Sequence, residues 1–137
     1  MQRVIPMIGY EDPASAIEFL SSAFGFEEDP AERYTEPDGR ITHAQLSLGE
    51  ATIMLANPTP EYRAPKSHRS ECQQAARMYD NPWVVDGNLV LVDDVDAHCE
   101  RARAVGATIL REPADPGIGH RLYSAEDLEG HRWMFSE

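Results

Sequence analysis

Apolar residues recur at helical spacing between Asp12 and Gly25. Ile17 and Phe24 lie seven residues apart, about two helical turns, so they share one face of a helix. An aspartate side chain caps the free N–H groups at a helix N-terminus, and a glycine adopts the left-handed conformation that ends a helix. The pattern therefore predicts a first helix that begins at Pro13 and ends at about Phe24.

The same arrangement occurs a second time. Asp93 precedes a segment whose apolar residues recur at helical spacing, and Gly106 follows that segment. The step from Asp93 to Gly106 is thirteen residues long, as is the step from Asp12 to Gly25. An internal repeat of this kind predicts two copies of one supersecondary unit.

Segments of alternating or continuous apolar residues flank both helices and predict β-strands. Asp38 and Gly39 form a dipeptide typical of tight hairpins, and Gly49 marks a second turn. The predicted strands are residues 3–8, 26–35, 41–48 and 51–56 around the first helix, and residues 89–92, 108–110, 121–125 and 131–136 around the second. The order of strand, helix and three strands thus occurs twice, which predicts an α+β fold built from two βαβββ units.

The segment between the two units is long and rich in proline. We expect one domain, residues 1–137, made of a βαβββ unit at 1–57, a linker at 58–86 and a βαβββ unit at 87–137. Loops this long usually serve as lids, binding loops or interface arms, and residues 72–79 predict one short helix within it. The aromatic residues Tyr62, Tyr79 and Trp83 either contact a ligand or partner, or anchor the linker to its own sheet.

Alternation within the strands separates two faces of each predicted sheet. Ala44 and Leu46 share one face and are expected to pack on the helices, as are Trp133 and Phe135 in the last strand. The opposite, open face is expected to carry Ile5, Met7, His43, Gln45, Ser47, Thr52, Met54, Arg132, Met134 and Ser136. This face is mostly apolar with a few polar groups, which is the usual composition of a small-molecule pocket.

Charge and cysteine content exclude several classes of function. The 137 residues contain 24 acidic and 12 basic side chains, a formal net charge of −12, so phosphate backbones and anionic lipids are repelled. No apolar run approaches the roughly 18 residues that span a bilayer. Cys72 and Cys99 follow no metal-binding or disulfide spacing, which favours reduced thiols in the cytoplasm. We expect neither nucleic acid nor a membrane as partner.

Four stretches carry a resemblance to a known family. They are residues 11–19 and 92–97, at the entries to the two helices, residues 106–107, after the second helix, and residues 127–133, with the sequence Asp-Leu-Glu-Gly-His-Arg-Trp. They resemble the vicinal oxygen chelate superfamily, which includes glyoxalase I, extradiol dioxygenases, fosfomycin-resistance enzymes and bleomycin-binding proteins. The resemblance implies a cup-shaped, eight-stranded mixed sheet with helices outside, a homodimer, and a ligand inside the cup.

Enzymes of this family hold a divalent metal ion with side chains from the first and last strands of each unit. Transferred to this sequence, those positions fall on Ile5, Met54, Met134 and either Gly87 or Asn88. None of them is a histidine, a carboxylate or a cysteine, which are the ligands that such ions require. We therefore expect the usual metal site to be replaced and no cofactor to be bound.

The open face and the resemblance together give a set of candidate ligand-binding residues. His43, Gln45 and Arg132 would orient a ligand, and methionine side chains would adapt to its shape. The strand of Arg121 and Tyr123 lines the cup in the family, but the alternation does not decide which of the two points inward. The candidates are His43, Gln45, Met54, Trp83, Arg121, Tyr123, Arg132 and Met134.

Several of these residues have a structural interpretation as well. His43 is either a candidate catalytic acid–base group or a structural histidine bonded across the sheet. It is also a candidate ligand of a shifted metal site together with His120 and His131, although the spacing of these three histidines is not diagnostic. Met54 and Met134 are alternatively members of the core.

The sequence thus predicts a small-molecule-binding protein of glyoxalase and bleomycin-resistance type. Its ligand, an antibiotic or a metabolite, is expected to be hydrophobic, and the net charge of −12 favours a cationic one. The alternative is an enzyme of the same superfamily, a lyase, isomerase or dioxygenase, that uses a relocated metal ion or acid–base chemistry at His43. A third hypothesis is a pocket for an unknown metabolite without a catalytic role.

Overall fold

The chain is divided into two compact units. A computed structural model describes residues 2–81 and 87–137. The first unit spans Met1–Ala64 and the second unit spans Pro65–Glu137. Each has its own mixed β-sheet, so the architecture is α+β, as the sequence pattern predicts.

The first unit begins with a strand and a helix and continues with short and long strands. Its elements are β1 (Met7–Gly9), α1 (Pro13–Phe19), β2 (Glu27–Glu28), β3 (Tyr34–Thr35), β4 (Ile41–Leu48) and β5 (Ala51–Ala56). Leu20–Phe24 extends α1 by one wider, π-helical turn, and Pro30–Glu32 forms a 3₁₀ turn between β2 and β3. The strand expected at residues 26–35 is therefore interrupted, because Pro30 has no N–H to donate to a ladder.

The ends of α1 follow the signals in the sequence. Asp12 accepts a hydrogen bond from the backbone N–H of Ser15, and Pro13 occupies the first turn. Gly25 has a φ of 88°, the left-handed conformation that ends the helical segment after Phe24. The predicted first helix is confirmed at both ends.

The sheet of the first unit is organised around β5. The strand order is β1-β5-β4-β2, with β3 also paired to β4, and β1 lies parallel to β5. Ile8, Leu55 and Ala44 form one buried row across β1, β5 and β4. Neighbouring positions along each strand point to the opposite face, so the next row lies on the open side of the sheet.

The second unit repeats this plan after two short helices. Its elements are α2 (Pro65–Glu71), α3 (Gln73–Met78), β6 (Asn88–Leu91), α4 (Val95–Val105), β7 (Thr108–Ala114), β8 (Leu122–Glu126) and β9 (Arg132–Ser136). The strand order is β6-β9-β8-β7, and β6 lies parallel to β9 as β1 does to β5. The helix predicted at residues 72–79 corresponds to α3, whereas α2 has no clear signal in the sequence.

The core of the second unit lies between α4 and its sheet. Asp94 caps α4, and Gly106 ends it with a φ of 110°. Cys99 of this helix is fully buried, as are Trp133 and Phe135 of β9. Burial of one large apolar side chain stabilises a fold by roughly 1.5–3 kcal/mol, so this layer holds α4 to the sheet.

The helices of both units are short. Within residues 2–81 and 87–137, no helix combines the length and the hydropathy needed to cross a bilayer.

Candidate functional site

A cavity of about 460 Å³ lies within the second unit. It is bounded by the open face of the sheet, opposite α4, and by Tyr79 and Asp80, which follow α3. Its lining residues are Tyr79, Asp80, Gly87, Leu110, Arg111, Leu122, Ser124, Arg132, Trp133 and Met134. Cavities of this size, mostly apolar with a few polar groups, are typical of small-molecule sites.

The turn between β8 and β9 directly precedes two cavity-lining residues, Arg132 and Trp133. The carboxylate of Asp127 accepts hydrogen bonds from the backbone N–H groups of Glu129 and His131, each at 3.1 Å. Its second oxygen accepts the indole N–H of Trp133, also at 3.1 Å. One buried side chain thus holds both the turn and the first residues of β9, which links the first and last residues of the stretch 127–133.

Next to this turn lies a cluster of three charges. Arg69 of α2 donates two hydrogen bonds of 2.8 Å to the two carboxylate oxygens of Glu126. Arg132 donates a third bond of 3.1 Å to the same carboxylate. Glu126 and Arg132 are both buried, and the cluster carries one net positive charge.

The environment of Glu126 keeps its carboxylate ionised. Burial raises the pKa of Glu126, but hydrogen bonds and charge from Arg69 and then Arg132 lower it by more, so it lies below its ordinary value. The ion cluster is therefore intact at neutral pH.

Arg132 also anchors the segment that forms one wall of the cavity. One terminal guanidinium nitrogen donates to the backbone carbonyl of Asn81 at 2.7 Å, and the other donates to the carbonyl of Tyr79 at 2.5 Å. The ring of Tyr79 lies 5.8 Å from the Arg69 guanidinium carbon and 6.0 Å from that of Arg132. The predicted site residue Arg132 is thus at the cavity, but its nitrogens are engaged by the protein itself.

A β-bulge brings two consecutive residues of β7 to the cavity. The register of β7 against β8 shifts between Ile109 and Arg111, and Arg111 pairs with Ser124. In a regular strand Leu110 and Arg111 would point to opposite faces, but the extra residue allows both to reach one side. The sequence pattern ended this strand at residue 110, so Arg111 was missed.

Arg121 and Tyr123 lie on the helix-facing side of the sheet. Tyr123 is fully buried, shares a hydrogen bond of 2.6 Å with Nδ1 of His98 on α4, and stacks on Phe135. Burial raises the pKa of its hydroxyl well above the ordinary value. Arg121 forms an ion pair with Asp96 of α4 at 2.7 Å.

This placement corrects the expectation that one of the two residues points into the cup. Alternation along β8 directs Leu122 and Ser124 toward the cavity instead. Tyr123 pairs with Phe135 of β9, and this register decides which side of the sheet Tyr123 lies on. The alternation within β8 alone does not decide it.

The open face of the first unit carries other predicted residues. Met7, Met54 and Gln45 form one row across β1, β5 and β4, as the alternation predicts. His43 of β4 pairs with Tyr34 of β3, and their ring centroids lie 5.6 Å apart. The remaining candidate, Trp83, lies outside the described residues.

The first unit has a cavity of its own, of about 360 Å³, lined mainly by polar residues. Its carboxylates are engaged by neighbours within the unit. Glu11 pairs with Arg63 at 2.6 Å, Asp12 caps α1, and Asp38 accepts from the backbone N–H of Arg40 at 2.9 Å. The three carboxylates that line this cavity are therefore already bound to other groups of the protein, which makes them less available to a ligand.

The strand registers locate the four positions at which the resemblance implies metal ligands. Met54 pairs with Met7, and Met134 pairs with Leu89. Two residues before Met7 is Ile5, so the equivalent position two residues before Leu89 is Gly87. The four positions are Ile5, Met54, Gly87 and Met134.

These four positions do not fit a divalent metal ion. Ile5 has a hydrocarbon side chain, Met54 and Met134 have thioethers, and Gly87 has no side chain. Divalent metal ions of this kind need imidazole, carboxylate or thiolate ligands. Across residues 2–81 and 87–137, no three or more His, Cys, Asp or Glu side chains are grouped to hold a cation.

Comparison with known proteins assigns this geometry to a family. A family model described as Glyoxalase/Bleomycin resistance protein/Dioxygenase superfamily matches residues 5–135. The chain belongs to this superfamily. Curated relatives include "Uncharacterized protein Mb0911c" of Mycobacterium bovis, which is 31% identical over 132 residues, covering 96% of this chain and 80% of the relative.

Solved structures show the same fold. TioX from Micromonospora sp. ML1 superimposes with a TM-score of 0.68 at 29% identity, covering 98% of this chain and 94% of TioX. Glyoxalase I from Zea mays superimposes with a TM-score of 0.69 at 18% identity, covering 95% of this chain but 42% of the maize enzyme. The resemblance noted in the sequence is confirmed at the level of family and fold.

Proposed function

We propose that the protein binds an apolar small molecule, an antibiotic or a metabolite, in the cavity of the second unit, and that it does so without a metal ion. The observation that carries this proposal is the cavity itself. Leu122, Met134 and Tyr79 line it, and Leu110, which is 44% exposed, lies at its rim. Burial of apolar ligand surface against such groups is the main source of affinity in pockets of this kind.

The donor set at the family's metal positions supports binding without metal. Met54 and Met134 take the places of ligands from the last strand of each unit, and thioethers are poor ligands for hard divalent ions. Methionine is flexible and polarizable, so it suits a surface that adapts to an apolar ligand.

Among the cavity-lining residues that the structure describes, basic side chains outnumber acidic ones. They include two arginines, Arg111 and Arg132, and one carboxylate residue, Asp80. The net charge of −12 was the reason to expect a cationic ligand, but charges beyond about 8 Å are largely screened at physiological salt. The apolar body of the ligand is therefore the feature that the cavity recognises.

A neutral fluorescent probe, N-phenyl-1-naphthylamine, tests the proposal. We expect saturable binding to the wild-type protein and about fivefold weaker binding to Leu110→Gln, since a polar amide replaces apolar surface at the rim. Ile118→Gln is the matched control, because Ile118 is also an exposed aliphatic residue but does not line the cavity. Absence of saturable binding, or equal weakening by both variants, would contradict the proposal.

We further propose that the protein acts as a homodimer in the cytoplasm. The strands β1 and β6 are edge strands in their sheets and expose Met7 and Leu91, each to 74%. Exposed apolar side chains on edge strands favour association with another chain. Cys72 and Cys99 are unpaired thiols, which suits a reducing compartment. Sedimentation velocity at micromolar concentration should give a dimer, and a monomer would contradict this proposal.

A further inference from the structure

Two polar side chains at the cavity are uncommitted. Within residues 2–81 and 87–137, the guanidinium of Arg111 makes no hydrogen bond or ion pair, and the hydroxyl of Ser124 makes no hydrogen bond. The two residues are direct cross-strand partners in the β7–β8 ladder. Cβ atoms of such partners lie about 4.5–5.5 Å apart, so a guanidinium and a hydroxyl are presented next to each other at the cavity.

The other arginine at the cavity has a different role. Arg132 is buried, and its three guanidinium nitrogens donate to Glu126 and to the carbonyls of Tyr79 and Asn81. Arg111, by contrast, is exposed on the bulged strand, so its planar set of donors is available to a ligand. Among the described lining residues there is one carboxylate residue, Asp80, which follows α3.

We propose that Arg111 and Ser124 form an anion subsite, so that the ligand is an apolar molecule carrying a carboxylate or sulfonate group. This inference rests on the proposed function and specifies the class of ligand. The guanidinium binds the two oxygens of the anionic group in bidentate fashion, and the Ser124 hydroxyl donates a further hydrogen bond. The apolar body lies over Leu122 and Met134. The bulge at Leu110 is what turns Arg111 toward the cavity.

The test compares two probes with nearly the same apolar body. 8-Anilinonaphthalene-1-sulfonate carries a sulfonate, and N-phenyl-1-naphthylamine lacks it. Arg111→Gln should weaken binding of the sulfonate about tenfold, because a charge-assisted bidentate contact is lost, and should leave the neutral probe within about twofold. Ser124→Ala should weaken the sulfonate about threefold.

Two further variants separate a local contact from a general effect of charge. Arg121→Gln removes the same charge from the helix-facing side of the sheet and should leave both probes unchanged. Asp80→Asn should strengthen sulfonate binding, since it removes a like charge from the cavity wall. Circular dichroism of each variant establishes that the fold is retained.

The outcomes distinguish the subsite from the cavity. Saturable binding of both probes with no selective loss of the sulfonate in Arg111→Gln would overturn the anion subsite and leave the proposed function standing. Equal losses in Arg111→Gln and Arg121→Gln would also overturn it, because the effect would then be long-range. Failure of both probes to saturate the wild-type protein would overturn the subsite and the proposed function together.

Discussion

The two units share one plan but differ in what lies over the open face of the sheet. In both, a first strand pairs parallel with the last, and one helix covers the other side. The open face of the first unit carries the row Met7, Met54 and Gln45. The equivalent face of the second unit is bounded by the segment after α3 and by the bulged strand β7, and a cavity of about 460 Å³ results. Additions to the repeat, rather than the repeat itself, therefore create the candidate site.

Buried charged groups follow the same division. The second unit holds a buried ion cluster at Glu126 and a buried turn carboxylate at Asp127. The comparable ion pair of the first unit, Arg33 with Glu28, lies nearer the surface. Buried polar networks are costly when broken, so the geometry of the cavity depends on these charged contacts.

The turns between the last two strands give the largest expected difference between the units. Asp127→Ala removes the acceptor for two backbone N–H groups and an indole N–H, and we expect a loss of about 3 kcal/mol in the free energy of unfolding. Urea denaturation measures this loss. Glu50→Ala, in the exposed turn of the first unit, is the control and should change stability by less than about 0.5 kcal/mol. Equal losses would break the comparison.

The two ion pairs give the next largest difference. Glu126→Gln should cost about 2 kcal/mol at pH 7, because Arg69 and Arg132 lose their shared carboxylate. The matched variant Glu28→Gln should cost at most about 1 kcal/mol, as expected for a pair near the surface.

Acid should remove the difference between Glu126→Gln and the wild type. The folded-state pKa of Glu126 lies below its unfolded value, so its contribution is complete above about pH 4.3 and is lost as the pH falls through the lowered pKa. Denaturation curves at a series of pH values measure this. A difference that persists unchanged below that pKa would show that the carboxylate charge is not responsible.

The two methionines at equivalent register positions give the smallest difference. Met134→Gln should weaken binding of N-phenyl-1-naphthylamine about threefold, since Met134 lines the cavity of the second unit. Met54→Gln makes the same change in the first unit and should leave the affinity within about twofold. Fluorescence titration measures both. A larger effect of Met54→Gln would move the site to the first unit.

Much of the fold was predictable because the signals are local. The cap residues Asp12 and Asp94 and the glycines Gly25 and Gly106 define their helices in any context. The alternation in Ile41–Leu48 likewise separated the two faces of β4 correctly at Ala44 and Leu46. These elements depend on short-range chemistry that the sequence displays directly.

The residues at the cavity were less predictable because their positions depend on register. Arg132 and Met134 were found by alternation, whereas Arg111 reaches the cavity through a bulge that no residue pattern marks. Arg121 and Tyr123 were expected at the cup because of family resemblance, and the pairing of Tyr123 with Phe135 places them on the other face. Register between strands is a tertiary property, so the sequence alone left it undetermined.

Methionine-methyl NMR tests most directly whether an apolar ligand binds over the sheet of the second unit. The chain contains five methionines, among them Met7 and Met54 in the first unit and Met78 and Met134 in the second. On titration with N-phenyl-1-naphthylamine, the methyl signal of Met134 should shift saturably and by the largest amount, while that of Met78, on α3, should change little. An unmoved Met134 signal at probe saturation would contradict the account.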